Sequence, residues 1–121
     1  MNSVSAKQDQ LNAILSSMAE GLIAVDTKRK VIIMNQAAGI LLRLSPAEAM
    51  GQNLGEILFL QKDGRDLNLE ELPYERAMVD KNIITLTLLD NISLKNRQGQ
   101  IYPVSLMAAP LLLHGEVTGA I

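Results

Sequence analysis

The chain has 121 residues, of which 48% are hydrophobic and 20% charged, and its formal net charge is -2. This length fits one domain with a single core, and this composition excludes a disordered chain and a basic nucleic-acid binder. The absence of cysteine excludes disulfides, thiolate metal sites and a cysteine nucleophile. It is compatible with the cytoplasm, where we expect the protein to be located.

The N-terminal part predicts a polar lead-in followed by a helix. Residues 1–10 lack the apolar core of a secretion signal. After them, apolar side chains recur at the spacing i, i+3, i+4 and i+7, which predicts an amphipathic helix from about residue 8 to residue 18. The side chains of this stripe are Leu11, Ile14, Leu15 and Met18.

Two short apolar segments come next, at residues 21–26 and 31–34, and a polar turn separates them. This pattern predicts an antiparallel strand pair. Neither strand alternates with polar residues, so we expect both faces to be covered, one by the core and the other by the leading helix or a partner chain. The cations of the turn, residues 27–30, are interpreted as a solvated cluster, and no nucleic-acid partner is expected.

The second strand ends at Asn35, and helical spacing of apolar residues begins directly after it. Asn35 is therefore predicted to be the N-cap of a helix. Ser45 and Glu48 surround Pro46 in the pattern of a capping box, which predicts a second helix start. Gly51 is expected to end that short helix.

The middle of the chain predicts one further helical turn at residues 53–58 and a polar loop at residues 61–66. Residues 69–81, with Pro73 near their start, then predict a helix of about three turns. The adjacent carboxylates Glu70 and Glu71 point to different sides of a helix start, which favours a solvated first turn over an acid-base pair.

The final third predicts three strands, at residues 85–96, 101–113 and 117–121, with one turn around Gly99 and another at residues 114–116. Together the elements predict an α+β fold with one five-stranded antiparallel sheet, short helices on one face and the leading amphipathic helix. The chain stops at Ile121 within a strand-like run, so we expect a truncated last strand and a piece excised from a longer polypeptide. The longest apolar run, residues 104–113, is about half the roughly 20 residues of a membrane-spanning helix, so no membrane contact by this segment is expected.

The chain carries, in order along the sequence, Gly21, Asp26, Asn35, Ala38, Ser45, Pro46, Glu48, Gly51, Pro73, Arg76, Ala77, Gly99, Pro110, Leu111, Gly115 and Gly119. With these residues in this order, the chain resembles a PAS domain from Leu11 to Ile121. Residues 66–78 are similar to PAS modules of bacterial sensor histidine kinases. Arg29 and Arg43 depart from the pattern, because many PAS domains have glycine there, and we expect altered turn geometry at both positions.

The resemblance implies a single non-catalytic PAS domain at residues 11–121. Its expected role is a sensory and dimerisation module of a bacterial signal-transduction protein, with a histidine kinase as the effector further along the polypeptide. A transcription activator or a diguanylate cyclase is the alternative parent protein, and a membrane anchor elsewhere in that parent is left open. The excess of apolar surface favours a homodimer that buries Leu11, Ile14, Leu15 and Met18.

The resemblance also implies where a ligand would bind, between the helix after the loop and the inner face of the sheet. The same side chains could instead fill the core. Three aromatic residues are few for holding a large planar cofactor, so we expect a packed core or a small metabolite rather than haem or flavin. The implied pocket residues are Leu58, Tyr74, Met78, Ile92, Tyr102, Val104 and Leu106.

The chain lacks the residues with which PAS domains are known to bind haem or react with flavin. The helix that carries the ligand in haem-binding PAS domains corresponds to residues 69–78, which contain no histidine, and flavin sensors of the family form an adduct with a cysteine that this chain lacks. The single histidine, His114, lies in a predicted turn, where an exposed turn residue is the favoured interpretation over a metal ligand. No metal site is predicted.

Overall fold

A computed structural model describes residues 9–11, 13–14, 18 and 20–121 of the chain. Within these ranges every strand pairing is antiparallel. The strands are β1 (Ile23–Asp26), β2 (Val31–Met34), β3 (Phe59–Lys62), β4 (Arg65–Asp66), β5 (Ile84–Leu86), β6 (Ile92–Lys95), β7 (Ile101–Pro103), β8 (Leu106–Ala108), β9 (Pro110–Leu113) and β10 (Glu116–Ala120). The helices are α1 (Gln36–Leu42), α2 (Pro46–Ala49) and α3 (Pro73–Asp80), with 3-10 turns at Leu54–Glu56, Leu69–Glu71 and Leu88–Asp90.

The strands form sheets with the orders β2-β1-β10-β9, β4-β3-β6-β7 and β5-β8. The first and last strands of the chain are therefore neighbours in the centre of the first sheet. Backbone hydrogen bonds continue the pairing beyond the strand ends: Ala109 and Ile121 exchange two bonds of 2.9 Å, and the Val104 N–H donates to the Ile92 carbonyl at 3.0 Å. The mixed helix and antiparallel sheet architecture confirms the predicted α+β class.

The strands are shorter and more often interrupted than the five continuous strands that the sequence predicts. The predicted strand 85–96 is interrupted because Thr87 and Asp90 cap a 3-10 turn at Leu88–Asp90: the Leu89 N–H donates to Thr87 Oγ1 at 3.2 Å, and the Thr87 N–H donates to Asp90 Oδ2 at 2.7 Å. The predicted strand 101–113 appears as three successive segments, β7, β8 and β9. At Thr87 and Asp90, side-chain capping thus competes with strand pairing for the backbone hydrogen-bonding groups.

The predicted polar loop at residues 61–66 is instead a hairpin of β3 and β4, so that prediction was wrong. Asp63 and Gly64 form its two-residue turn, and both have positive φ, 52° and 81°. An Asp-Gly turn of this hand follows the twist of antiparallel strands, which explains why so polar a segment pairs. β3 then continues the sheet by pairing with β6.

The helices begin largely where the sequence predicts. Asn35 caps α1, Ser45 caps α2 by accepting from the Glu48 N–H at 3.1 Å, and Gly51 follows α2 with φ of 77°. α3 is shorter than predicted, because Leu72 before Pro73 is extended and separates it from the 3-10 turn Leu69–Glu71.

Arg29 and Arg43 do not alter their turns, contrary to expectation. Both residues adopt the left-handed conformation that glycine prefers, with φ of 65° and 58°. Side-chain hydrogen bonds offset the conformational cost: Arg29 binds Glu75, and the Nε of Arg43 donates to the side chain of Gln100 at 3.2 Å.

Only part of the predicted leading helix lies within the described residues. Residues 9–11 and 13–14 are helical, and Leu11 and Ile14 are 51% and 53% exposed. Met18 is half-buried. Leu15 lies outside the described residues. Leu11 and Ile14 therefore lie on the surface of the single chain, whereas Met18 is partly covered.

One hydrophobic core lies between the sheet and the helices. Val25 and Leu42 are each 1% exposed, and they join β1 and α1 in this core. Asn35 and Asn96 are buried beside this core, and the side-chain oxygen of each accepts hydrogen bonds from backbone N–H groups. Asn96 holds the turn between β6 and β7 by accepting from the N–H groups of Gln98 and Gln100, both at 3.0 Å.

Candidate ligand pocket and interaction surfaces

The seven predicted pocket residues converge on the same part of the molecule. They come from α3, from β6 to β8 and from the segment before β3, which the fold brings to the inner face of the sheet. All of them lie in the hydrophobic core or pack against it. Tyr74, Met78 and Ile92 are core residues in this structure, the other four are partly buried against them, and their role in ligand binding stays a prediction. The set is Leu58, Tyr74, Met78, Ile92, Tyr102, Val104 and Leu106.

Tyr74 of α3 brings a polar hydroxyl into this core. Its side chain is 8% exposed, and burial, followed by the negative charge of Glu75, raises the pKa of its hydroxyl above the ordinary value. The hydroxyl is therefore neutral at physiological pH and can both donate and accept a hydrogen bond. A Cβ built on Gly55 would lie 3.8 Å from this oxygen, so the Leu54–Glu56 turn and α3 meet here.

Beside Tyr74, an ion pair connects α3 to the turn between β1 and β2. Nε and Nη2 of Arg29 donate to the two carboxylate oxygens of Glu75 at 2.5 and 2.6 Å, and Glu75 is 8% exposed. The hydrogen bond and charge of Glu75 raise the pKa of the Arg29 guanidinium. Sequence reasoning missed this pair, because the two residues are 46 positions apart and no periodicity connects them.

Two open cavities lie on the surface, one at the end of α3 and one near α1. The first, of about 820 Å³, is lined by residues 76 and 80–84 and by Ala109, Pro110 and Leu112. The second, of about 390 Å³, lies where α1 meets α2 and Gln98. None of the seven predicted pocket residues lines either cavity.

The outer face of the sheet carries exposed apolar side chains. Side chains alternate along a strand, and Tyr102, Leu106 and Ala120 belong to the core or pack against it, so their chain neighbours face outward. Those neighbours, together with Leu113 at the end of β9, are between 40% and 63% exposed. We call this set the outer patch: Ile101, Met107, Leu113 and Ile121.

The structural residues singled out from the sequence have the expected local roles, and Asn35 has a further one. Its Oδ1 accepts from the Ala38 N–H at 3.0 Å, as predicted for an N-cap. The same oxygen accepts from the Leu22 N–H at 2.9 Å, and Nδ2 donates to the Glu20 carbonyl at 2.7 Å. Asn35 thus also fixes the segment that leads into β1. Gly99 has φ of 82° in the β6–β7 turn.

His114 lies in the turn between β9 and β10 with φ of 52° and is exposed. Among the described residues, no three histidine or carboxylate side chains are grouped so that they could hold a metal ion. No helix in the part of the chain that the structure describes has the length and apolar character required to cross a bilayer.

Comparison with solved structures shows the same fold in other proteins. A PAS domain of a protein from Colwellia psychrerythraea is 18% identical with a TM-score of 0.71, and the match covers 94% of this chain and 91% of that one. The PAS domain of nitrogen regulation protein NR(II) from Vibrio parahaemolyticus is 17% identical with a TM-score of 0.68, covering 91% and 92%. A PAS domain from a two-component sensor histidine kinase is 9% identical with a TM-score of 0.67, covering 98% and 95%.

Comparison with curated protein sequences gives no match. The family model of the PAS fold, in contrast, matches residues 9–121. This range includes every strand and helix described above, together with the capping asparagine and the glycines on which the resemblance rests. The chain therefore belongs to the PAS family.

Proposed function

We propose that this PAS domain is a non-catalytic sensory and dimerisation module of a bacterial signal-transduction protein, with a histidine kinase as effector in the same polypeptide. Support comes from its similarity to a PAS domain of a two-component sensor histidine kinase. Within such a protein, a small ligand or a partner shifts the population of two arrangements of the domain, and the effector responds to that shift.

The outer patch is the observation that carries the dimerisation part of this proposal. Ile101, Met107, Leu113 and Ile121 are between 40% and 63% exposed in a single chain. Leu11 of the leading helix is exposed as well. Burying these apolar side chains against a second copy removes them from water, and each fully buried side chain contributes about 1.5–3 kcal/mol. A two-fold symmetric pair would place the same patch on both sides of the interface.

Sedimentation equilibrium at micromolar concentration tests this dimer. We expect twice the 13.2 kDa mass of one chain, and we expect Met107→Lys to shift the species toward the monomer because it places a charge in the interface. Val79→Lys is the matched control, since Val79 is 74% exposed on α3, on the helix-bearing side of the sheet. A monomeric wild-type chain, or equal effects of the two variants, would exclude this interface.

Sensing requires a separate test. We propose a small metabolite as the ligand, held between α3 and the sheet near the Tyr74 hydroxyl. Native mass spectrometry of the purified protein and a thermal-shift screen of metabolites would detect it, and absorption spectra would detect haem or flavin. If no compound binds or stabilises the protein, the domain is a structural connector and not a sensor.

A further inference from the structure

Arg29 contacts two elements that are far apart in sequence. Its backbone carbonyl accepts from the Leu54 N–H at 2.8 Å, which attaches the 3-10 turn Leu54–Glu56. Its guanidinium binds both carboxylate oxygens of Glu75 on α3, and Nη1 donates to the Thr27 carbonyl. One residue in a left-handed conformation thus joins the β1–β2 turn, the 3-10 turn and the first half of α3.

Core side chains lie directly under the two elements that Arg29 joins. Leu54 of the 3-10 turn and Tyr74 of α3 are 4% and 8% exposed, and both belong to the hydrophobic core. Because a Cβ on Gly55 would be only 3.8 Å from the Tyr74 hydroxyl, the two elements are adjacent at this point. Arg29 therefore bridges the seam between them on the surface of the core.

The burial of the two side chains links the breaking of the Arg29–Glu75 ion pair to a movement of α3. The side chain of Glu75 is 10% exposed and that of Arg29 is 34% exposed, so the carboxylate is the more deeply buried partner. Removing the guanidinium leaves a nearly buried negative charge, which is strongly unfavourable unless water reaches it. Water can reach Glu75 when the start of α3 moves away from the turn.

We propose that Arg29 is a strap that holds α3 against the Leu54–Glu56 turn, and that its release from Glu75 opens this side of the core to small molecules from solvent. Arg29→Gly is the informative variant. Glycine adopts the left-handed conformation of this position readily, so the β1–β2 turn is retained while the strap is lost.

The absence of cysteine from the chain makes a single introduced thiol a clean reporter. Met78→Cys places it under α3, where Met78 is 7% exposed, and Leu42→Cys places a control reporter on α1, where Leu42 is 1% exposed. Under native conditions, we expect Arg29→Gly to accelerate labelling of the α3 reporter by iodoacetamide about tenfold and to leave the α1 reporter within about twofold. Arg65→Gln is the matched control, because it breaks a bidentate pair with Glu71 that lies on the surface, and it should change neither rate.

A double variant separates the strap from a simple charge effect. In Arg29→Gly with Glu75→Gln, no unpaired charge remains, so labelling of the α3 reporter should be slower than in Arg29→Gly. It should still be faster than in the wild type, because the strap is absent. Return to the wild-type rate in this double variant would show that only the buried charge mattered and would overturn the proposal. Equal acceleration of both reporters, or of neither, would overturn it too.

Discussion

Gly119 lies where the two central strands of the first sheet approach each other. Asp26 of β1 is its partner in the register. A Cβ built on Gly119 would lie only 1.9 Å from the carbonyl oxygen of Val25, which is a backbone atom and cannot rotate away. Any side chain at this position would therefore push β10 away from β1.

Gly119→Ala is expected to destabilise the domain by about 3 kcal/mol or more, because the sheet must separate locally to admit the methyl group. Urea denaturation followed by circular dichroism would measure the difference. Gly64→Ala is the control: Gly64 has φ of 81° but no atoms within 4 Å of its Cβ position, so only the conformational cost of about 1 kcal/mol is expected. Similar losses in both variants would mean that the close approach to Val25 is unimportant.

Residues whose role is local could be predicted from the sequence, and those with distant partners could not. Asn35 was predicted as an N-cap because capping involves only the next three residues. Its bonds to Glu20 and Leu22 depend on how β1 returns beside β2. The same limit explains why Glu75 and Asn96 were missed: their partners Arg29 and Leu41 are 46 and 55 residues away.

At the scale of elements, the Arg65–Glu71 pair attaches the 3-10 turn Leu69–Glu71 to β4. The guanidinium donates to both oxygens of Glu71 at 2.9 and 3.0 Å, and the Asn68 N–H donates to the same carboxylate at 3.0 Å. These bonds, with that of Arg65 first, lower the pKa of Glu71 from 4.5 to about 2. The pair therefore favours the ionised carboxylate in the folded state.

A pH dependence follows from this lowered pKa. The stabilisation is fully present above pH 4.5, where Glu71 is ionised in the unfolded chain as well, and it is lost as the pH falls toward about 2. Chemical denaturation over this range should show that Glu71→Gln makes stability less dependent on pH. Glu70→Gln, a change at the neighbouring exposed residue, should retain the wild-type slope. Parallel slopes for wild type and Glu71→Gln would contradict the lowered pKa.

Element types were easier to predict than their interruptions. The apolar runs indicated strands in the final third of the chain, but Thr87 and Asp90 cap a turn inside one of them. The polarity of the segment around Asp63 and Gly64 predicts a loop, although Asp-Gly is also a hairpin signal. Polarity and turn chemistry favoured different structures there, and the turn chemistry prevailed because β6 offered β3 a free edge.

At the scale of the whole molecule, the apolar surface connects the fold to the proposed function. The predicted pocket residues lie in the core or pack against it, while the residues of the outer patch are exposed. The pattern of apolar and polar residues in the sequence could not distinguish the pocket residues from the outer patch, because strands such as Leu106–Ala108 are apolar on both faces. Only the pairing of the strands shows which side chains face outward.

If the outer patch forms a dimer, thermal stability must depend on protein concentration, because association stabilises the folded state and not the unfolded one. A hundredfold increase in concentration should raise the Tm by about 5 °C for a dimer and leave it unchanged for a monomer. Met107→Lys should therefore remove most of this dependence, whereas Val79→Lys should preserve it. Differential scanning calorimetry over that range of concentrations makes the comparison. A Tm that does not change with concentration in the wild-type chain would show that the patch stays exposed to water, and the dimer would have to be abandoned even if the domain binds a ligand.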